Sequence, residues 1–60
     1  MKIFLVIWYG CDSGYKVLGA YRNEKDAIEA SSHDHRREYR NGHFYTYKVE
    51  DIDIEEVELQ

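Results

Sequence analysis
The side chains of this 60-residue chain best suited to hold a metal are His33, His35, His43 and Cys11. Neutral imidazole and thiolate suit zinc. Their spacing does not. On a helix, positions 33 and 35 point about 200° apart. No second cysteine and no i, i+4 histidine pair completes a ligand set. No metal site is therefore expected. No phosphate-binding glycine loop, activated nucleophile or hydrolase signature occurs either. A single-helix domain of this size offers little concave pocket. We expect neither an enzyme nor a cofactor.

Two charged groups remain. Arg36, Arg37 and Arg40, with His43 and Lys48, interleave with Tyr39, Phe44, Tyr45 and Tyr47. Guanidinium groups among aromatic rings are the ingredients of anion, nucleotide or nucleic-acid contact. Against nucleic acid stand the net charge of −4 and a simpler role for the arginines, complementing the dipole at a helix end. The second group is acidic. Residues 50–60 carry Glu50, Asp51, Asp53, Glu55, Glu56 and Glu58 without a base, whereas residues 1–49 carry eight bases and six acids. In an extended strand Asp51, Asp53 and Glu55 share one side, about 6.6–7 Å apart. Such a row could enter the basic groove of a nucleic-acid-directed protein. It could also be a solvated face, or an edge charged against aggregation.

The elements that must position these groups follow from patterning. Residues 2–9 are β-branched and aromatic without polar alternation, which predicts a central strand covered on both faces. Residues 10–14 are a turn cluster and 15–22 a return strand, so the two form an antiparallel hairpin. In that strand Tyr15, Val17, Gly19 and Tyr21 fall on one side, and Lys16, Leu18, Ala20 and Arg22 on the other. Asn23 is a strong N-cap with Asp26 three residues on, which predicts a helix over about 24–38. Asn41 and Gly42 close it or make the next turn. Its apolar stripe is poor, with only Ile28 and Tyr39 large. A third strand is predicted at 44–50. The apolar phase then slips between Ile52, Ile54 and Val57, Leu59, which calls for a bulge, a bend or a short fourth strand.

The fold class expected is α+β, in the order β-β-α-β. A three-stranded antiparallel or mixed sheet has the order 2-1-3, with the helix on one face. The other face still carries large side chains of the first strand. It needs the tail, a second copy or a partner to cover it.

Sixty residues make one domain, 1–60, which buries only about 60% of its unfolded surface. Its core alone supplies about 3–5 kcal/mol. The lone cysteine excludes an internal disulfide and fits a reducing, cytoplasmic compartment. No run approaches the ~20 apolar residues of a membrane span. The outline of a lipoprotein signal at 1–11 fails, because its apolar run is short and Trp8 and Tyr9 are bulky where small residues are needed.

The run 17–27 reads Val-Leu-Gly-Ala-Tyr-Arg-Asn-Glu-Lys-Asp-Ala. It resembles very small bacterial and bacteriophage proteins of unknown function that carry an LG-[VA]-[FY] strand, a capping residue and an E-K-x-A helix start. These commonly end in an acidic, apolar-alternating segment, as 47–59 does here. The resemblance implies a β-β-α-β fold and a bacterial or phage setting, and it brings no catalytic residues.

These observations lead us to expect a non-enzymatic binding protein acting as a homodimer or on a larger protein. If phage-encoded, it would inhibit a host protein, such as a nucleic-acid-directed defence enzyme, in the host cytoplasm. The contacts would be the uncovered sheet face and the acidic tail, through Trp8, Tyr45, Tyr47, Asp51, Asp53 and Glu55. The alternatives are an oligomeric sponge for a nucleotide-type ligand held by Arg36, Arg37 and Arg40, a nucleic-acid-binding protein, or a purely structural module.

Overall fold
The computed structural model describes residues 1–10, 14–38 and 42–60, with backbone alone at 37 and 38. The chain is a small α+β protein. Strands β1 (Lys2–Gly10) and β2 (Gly14–Tyr21) lead into helix α1 (Glu24–Ser31). Strands β3 (His35–Glu38) and β4 (Phe44–Tyr47) follow, then a 3-10 turn (Val49–Asp51) and strand β5 (Ile52–Glu58). One sheet is three-stranded and antiparallel in the order β2-β1-β5. The second is a two-stranded antiparallel ribbon of β3 and β4.

The central place of β1 agrees with its unbroken apolar run. Its second neighbour differs from the expected 44–50 segment. β5 takes that place, because it matches β1 on both faces. Ile52 and Ile54 lie opposite Trp8 and Val6, and Val57 lies opposite Ile3. The apolar phase slip thus marks a separate strand with apolar residues on both sides. β4, at four residues, is too short to line nine-residue β1.

The helix is also shorter than the predicted 24–38. Ser31 Oγ donates to the Ile28 carbonyl at 2.9 Å and Ser32 Oγ to the Glu29 carbonyl at 2.6 Å. His35 Nε2 donates to the Ala30 carbonyl at 2.6 Å, which requires the Nε2–H form of the ring. These three side chains satisfy the last-turn carbonyls and end the helix. Arg36 and Arg37 are therefore strand residues, and no base lies in the helix's last turn. At the other end Asn23 is the N-cap by position, but its side chain makes no capping bond. Its amide donates to Asp26 Oδ2 at 3.3 Å instead. Asn41 lies outside the described residues. Gly42, at φ +80°, lies past the expected helix end, just before β4, in a conformation glycine favours.

Alternation along β2 breaks once. Val6 pairs with Gly19 and Ile7 with Val17, so Leu18 is the extra residue of a bulge. The bulge divides the predicted set of Tyr15, Val17, Gly19 and Tyr21. Gly19 and Tyr21 fall opposite Val6 and Phe4, while Tyr15 and Val17 fall opposite Tyr9 and Ile7.

Both α1 and the β3–β4 ribbon lie on the face of Phe4, Val6 and Trp8. Helix residues Glu24 and Ile28 border the same depression as Phe4, Ile54 and Glu56. Trp8 packs edge-on to Tyr45, with centroids 5.5 Å apart, and at 5.0 Å from Tyr47. Among the described residues the buried core is Val6, Ile7, Trp8, Ala27 and Tyr47.

Candidate functional site
With α1 and the ribbon on one side of the main sheet, the odd-numbered face of β1 carries Ile3, Leu5, Ile7 and Tyr9 away from both. The register sets Ala20, Val17 and Tyr15 of β2 along one flank, and Val57, Glu55 and Asp53 of β5 along the other. No described element packs over Tyr9 and Tyr15, but at the bulge Val17 borders a depression shared with His35, Arg36 and Tyr47 of the ribbon. Tyr15 is 67% exposed, Val17 46% and Tyr9 43%. The face is therefore an apolar strip with a tyrosine and valine margin on β2 and a carboxylate margin on β5. None of its strand residues is basic.

Tyr9 ties the two margins together. Its phenol lies near the Glu55 carboxylate, and its ring lies 6.4 Å from that of Tyr15. Glu55 pairs with Leu5, two residues further along β1 from Ile7, which is itself only 3% exposed. Desolvation raises the Tyr9 phenol above its ordinary value, helped by the hydrogen bond to Glu55 and the charges of Glu55 and Asp53.

The structure divides the predicted contact residues. Asp53 and Glu55 do lie on the uncovered face, opposite Ile7 and Leu5, while Asp51 precedes them in the 3-10 turn. Trp8 and Tyr47 are not available as anchors for a partner. They are 9% and 5% exposed and join the ribbon to the main sheet. Tyr45 lies at the edge of that cluster, 38% exposed. The aromatics the sequence reading missed are Tyr9 and Tyr15. The available signal was that odd and even residues of β1 are equally large, so a helix covering one set leaves the other bare.

Of the arginines, Arg36 is exposed and its guanidinium lies 4.3 Å from the Phe44 ring centroid. Arg37 pairs with Tyr45 through the ribbon backbone. Arg40 and Cys11 lie outside the described residues. His33 and His35 stack at 4.8 Å because the helix has already ended, which removes the divergence expected on a continuous helix. The Nε2 of His35 is nevertheless committed to Ala30, and His33 Nδ1 to the Asp34 carbonyl at 3.0 Å. Among the described residues no three His, Cys, Asp or Glu side chains group to hold a metal, and no helix is long and apolar enough to cross a membrane. Compared with known proteins, the chain matches no family model, no curated protein and no solved structure.

Proposed function
We propose that this chain is a non-enzymatic protein-binding module whose contact surface is the open face of the main sheet, with Asp53 and Glu55 along its acidic margin. The observation that carries this is a face of half-buried Ile3, Leu5 and Val57 flanked by exposed Tyr9 and Tyr15, against which no described element packs. The carboxylates select the occupant: an apolar surface with lysine or arginine on the side that meets β5. A second copy would bring two more carboxylates and no base, so the charge pattern favours a different chain. Occupying a basic surface in this way is also how such a module would inhibit its target.

The test is site-specific photocrosslinking in lysate of the encoding cell, with the crosslinker at Tyr15 on the open face or at Ile28 on the exposed helix. The expected result is one identified adduct from Tyr15 that is absent from Ile28 and lost with Asp53→Lys/Glu55→Lys. Equal adducts from both positions, or an adduct indifferent to the charge reversal, would refute the proposal.

A further inference from the structure
We infer that the outward face of the β3–β4 ribbon is a binding site for single-stranded nucleic acid. The inference does not depend on the function proposed above.

The ribbon differs in composition from the rest of the chain. Residues 35–48 hold four of the eight lysines and arginines (Arg36, Arg37, Arg40, Lys48) and one of the twelve acids, Glu38. A helix dipole does not account for this charge, since the helix ends at Ser31. Cross-strand pairing sorts the ribbon's two faces. His35, Tyr45 and Tyr47 belong to the face that meets Trp8. Arg36, Thr46 and Phe44 belong to the other, with Glu38 at the register position opposite Phe44, and Lys48 follows them in phase; Arg37 takes a register position on the inner face.

Phe44 is the informative residue. It is 56% exposed in a chain whose core is short of apolar area, so it adds little to the fold. The Arg36 guanidinium sits over its ring. Such a pair offers a nucleobase an aromatic surface to stack on, beside a cation for the adjoining phosphate. Thr46 lies opposite Arg36 on this face, and Lys48 extends it with a further cation along the strand. A duplex has its bases already stacked on one another, so this surface calls for unpaired bases. An acidic peptide would engage Arg36 but bring nothing for Phe44. Four of the tail's six acids lie away from this surface, while Glu50 and Asp51 occupy the 3-10 turn that follows Lys48. Asp53 and Glu55 face the opposite side of the main sheet, and Glu56 and Glu58 pair with Phe4 and Lys2, toward the end of β1 away from Trp8. Asp34 accepts the Val49 N–H at 2.8 Å.

The test is fluorescence anisotropy of the full chain with labelled 12-nucleotide oligo-U and oligo-dT at 50 and 200 mM salt. Two phosphate contacts, from Arg36 and Lys48, give a slope of log K against log salt near −1.4, about −0.7 for each contact. Phe44→Leu should weaken binding about tenfold or more through lost stacking. Arg36→Gln should weaken it and flatten the slope by about 0.7. Both residues are exposed, and circular dichroism confirms that each variant keeps the fold. Equal affinity for heparin, poly-glutamate or the matching duplex would overturn the inference. So would full affinity in Phe44→Leu, or no binding at 50 mM salt.

Discussion

Replacing Tyr47 with leucine tests how the ribbon is attached to the sheet. Tyr47 is 5% exposed, and its ring lies 5.0 Å from both Trp8 and Tyr45. Leucine keeps most of the buried apolar surface and removes both ring pairs. Each such pair contributes about 0.5–1.5 kcal/mol beyond area burial, so the change should cost about 1–3 kcal/mol. A core of this size supplies only about 3–5 kcal/mol. The loss is therefore from about a fifth to the whole of the total, and about half at the centre of both ranges. At 4–8 °C per kcal/mol the melting temperature should fall by roughly 10 °C. Trp8 is the only tryptophan, so its emission reports directly on the contact. Urea unfolding followed by far-UV circular dichroism and by Trp8 emission should show a lower midpoint and a red-shifted native emission. A variant whose midpoint stays within about 0.3 kcal/mol of the parent, with unmoved emission, would mean that the ring cluster does not hold the ribbon.

Two further outcomes follow from the main sheet. The raised Tyr9 phenol favours the protonated form in the folded state, so its contribution to stability is complete below the unfolded value of about 10 and is lost as pH rises through the higher folded value. In a spectrophotometric tyrosinate titration, Tyr9→Phe should remove the component that ionises at the highest pH, and Glu55→Gln should shift that component down; an unchanged curve in both would discard the Tyr9–Glu55 bond. A Cβ at Gly19 would meet the far end of the Tyr21 ring at 3.0 Å. Gly19→Ala should be near neutral, its entropic gain offset by displacement of that ring, and should turn stabilising by about 0.5–1 kcal/mol in a Tyr21→Ala background; denaturant midpoints of the four proteins decide it, and equal effects in both backgrounds would rule out the ring contact.

Much of the main sheet was legible because it rests on local signals. The apolar run 2–9 placed β1 at the centre, and the glycine-bounded turn made the hairpin. The phase slip after Val49 left a bulge, a bend or a short further strand open, and a separate strand is what forms. The partner of β1 was not legible, because two segments competed for one edge and the choice depended on matching both faces along nine residues. The helix end was missed for a related reason. Ser31, Ser32 and His35 look like a weak continuation of a helix, and their role as acceptor-seeking side chains becomes visible only once they are folded back on Ile28, Glu29 and Ala30. That error carried into the site. A helix running to 38 turned the arginines into dipole partners and left Trp8, Tyr45 and Tyr47 free to act as anchors, whereas the ribbon uses those rings to fasten itself to the sheet.

Net charge was the strongest argument against phosphate binding, and location weakens it. The −4 of the chain is +3 on residues 35–48 set against −7 elsewhere. A sum over the chain describes its far field, but a bound phosphate samples charges within about a Debye length, 8–10 Å in dilute to physiological salt. Asp53 and Glu55 lie on one face of the main sheet and the ribbon is docked on the other. Packed layers sit about 10 Å apart, so these acids act on the ribbon's outward face at or beyond that length. The same separation keeps the arginines from neutralising the acidic margin of the open face. One small fold can thus present an acid-edged apolar strip and a basic aromatic ribbon, because β1 is buried between them and Trp8 fixes the ribbon on the far side.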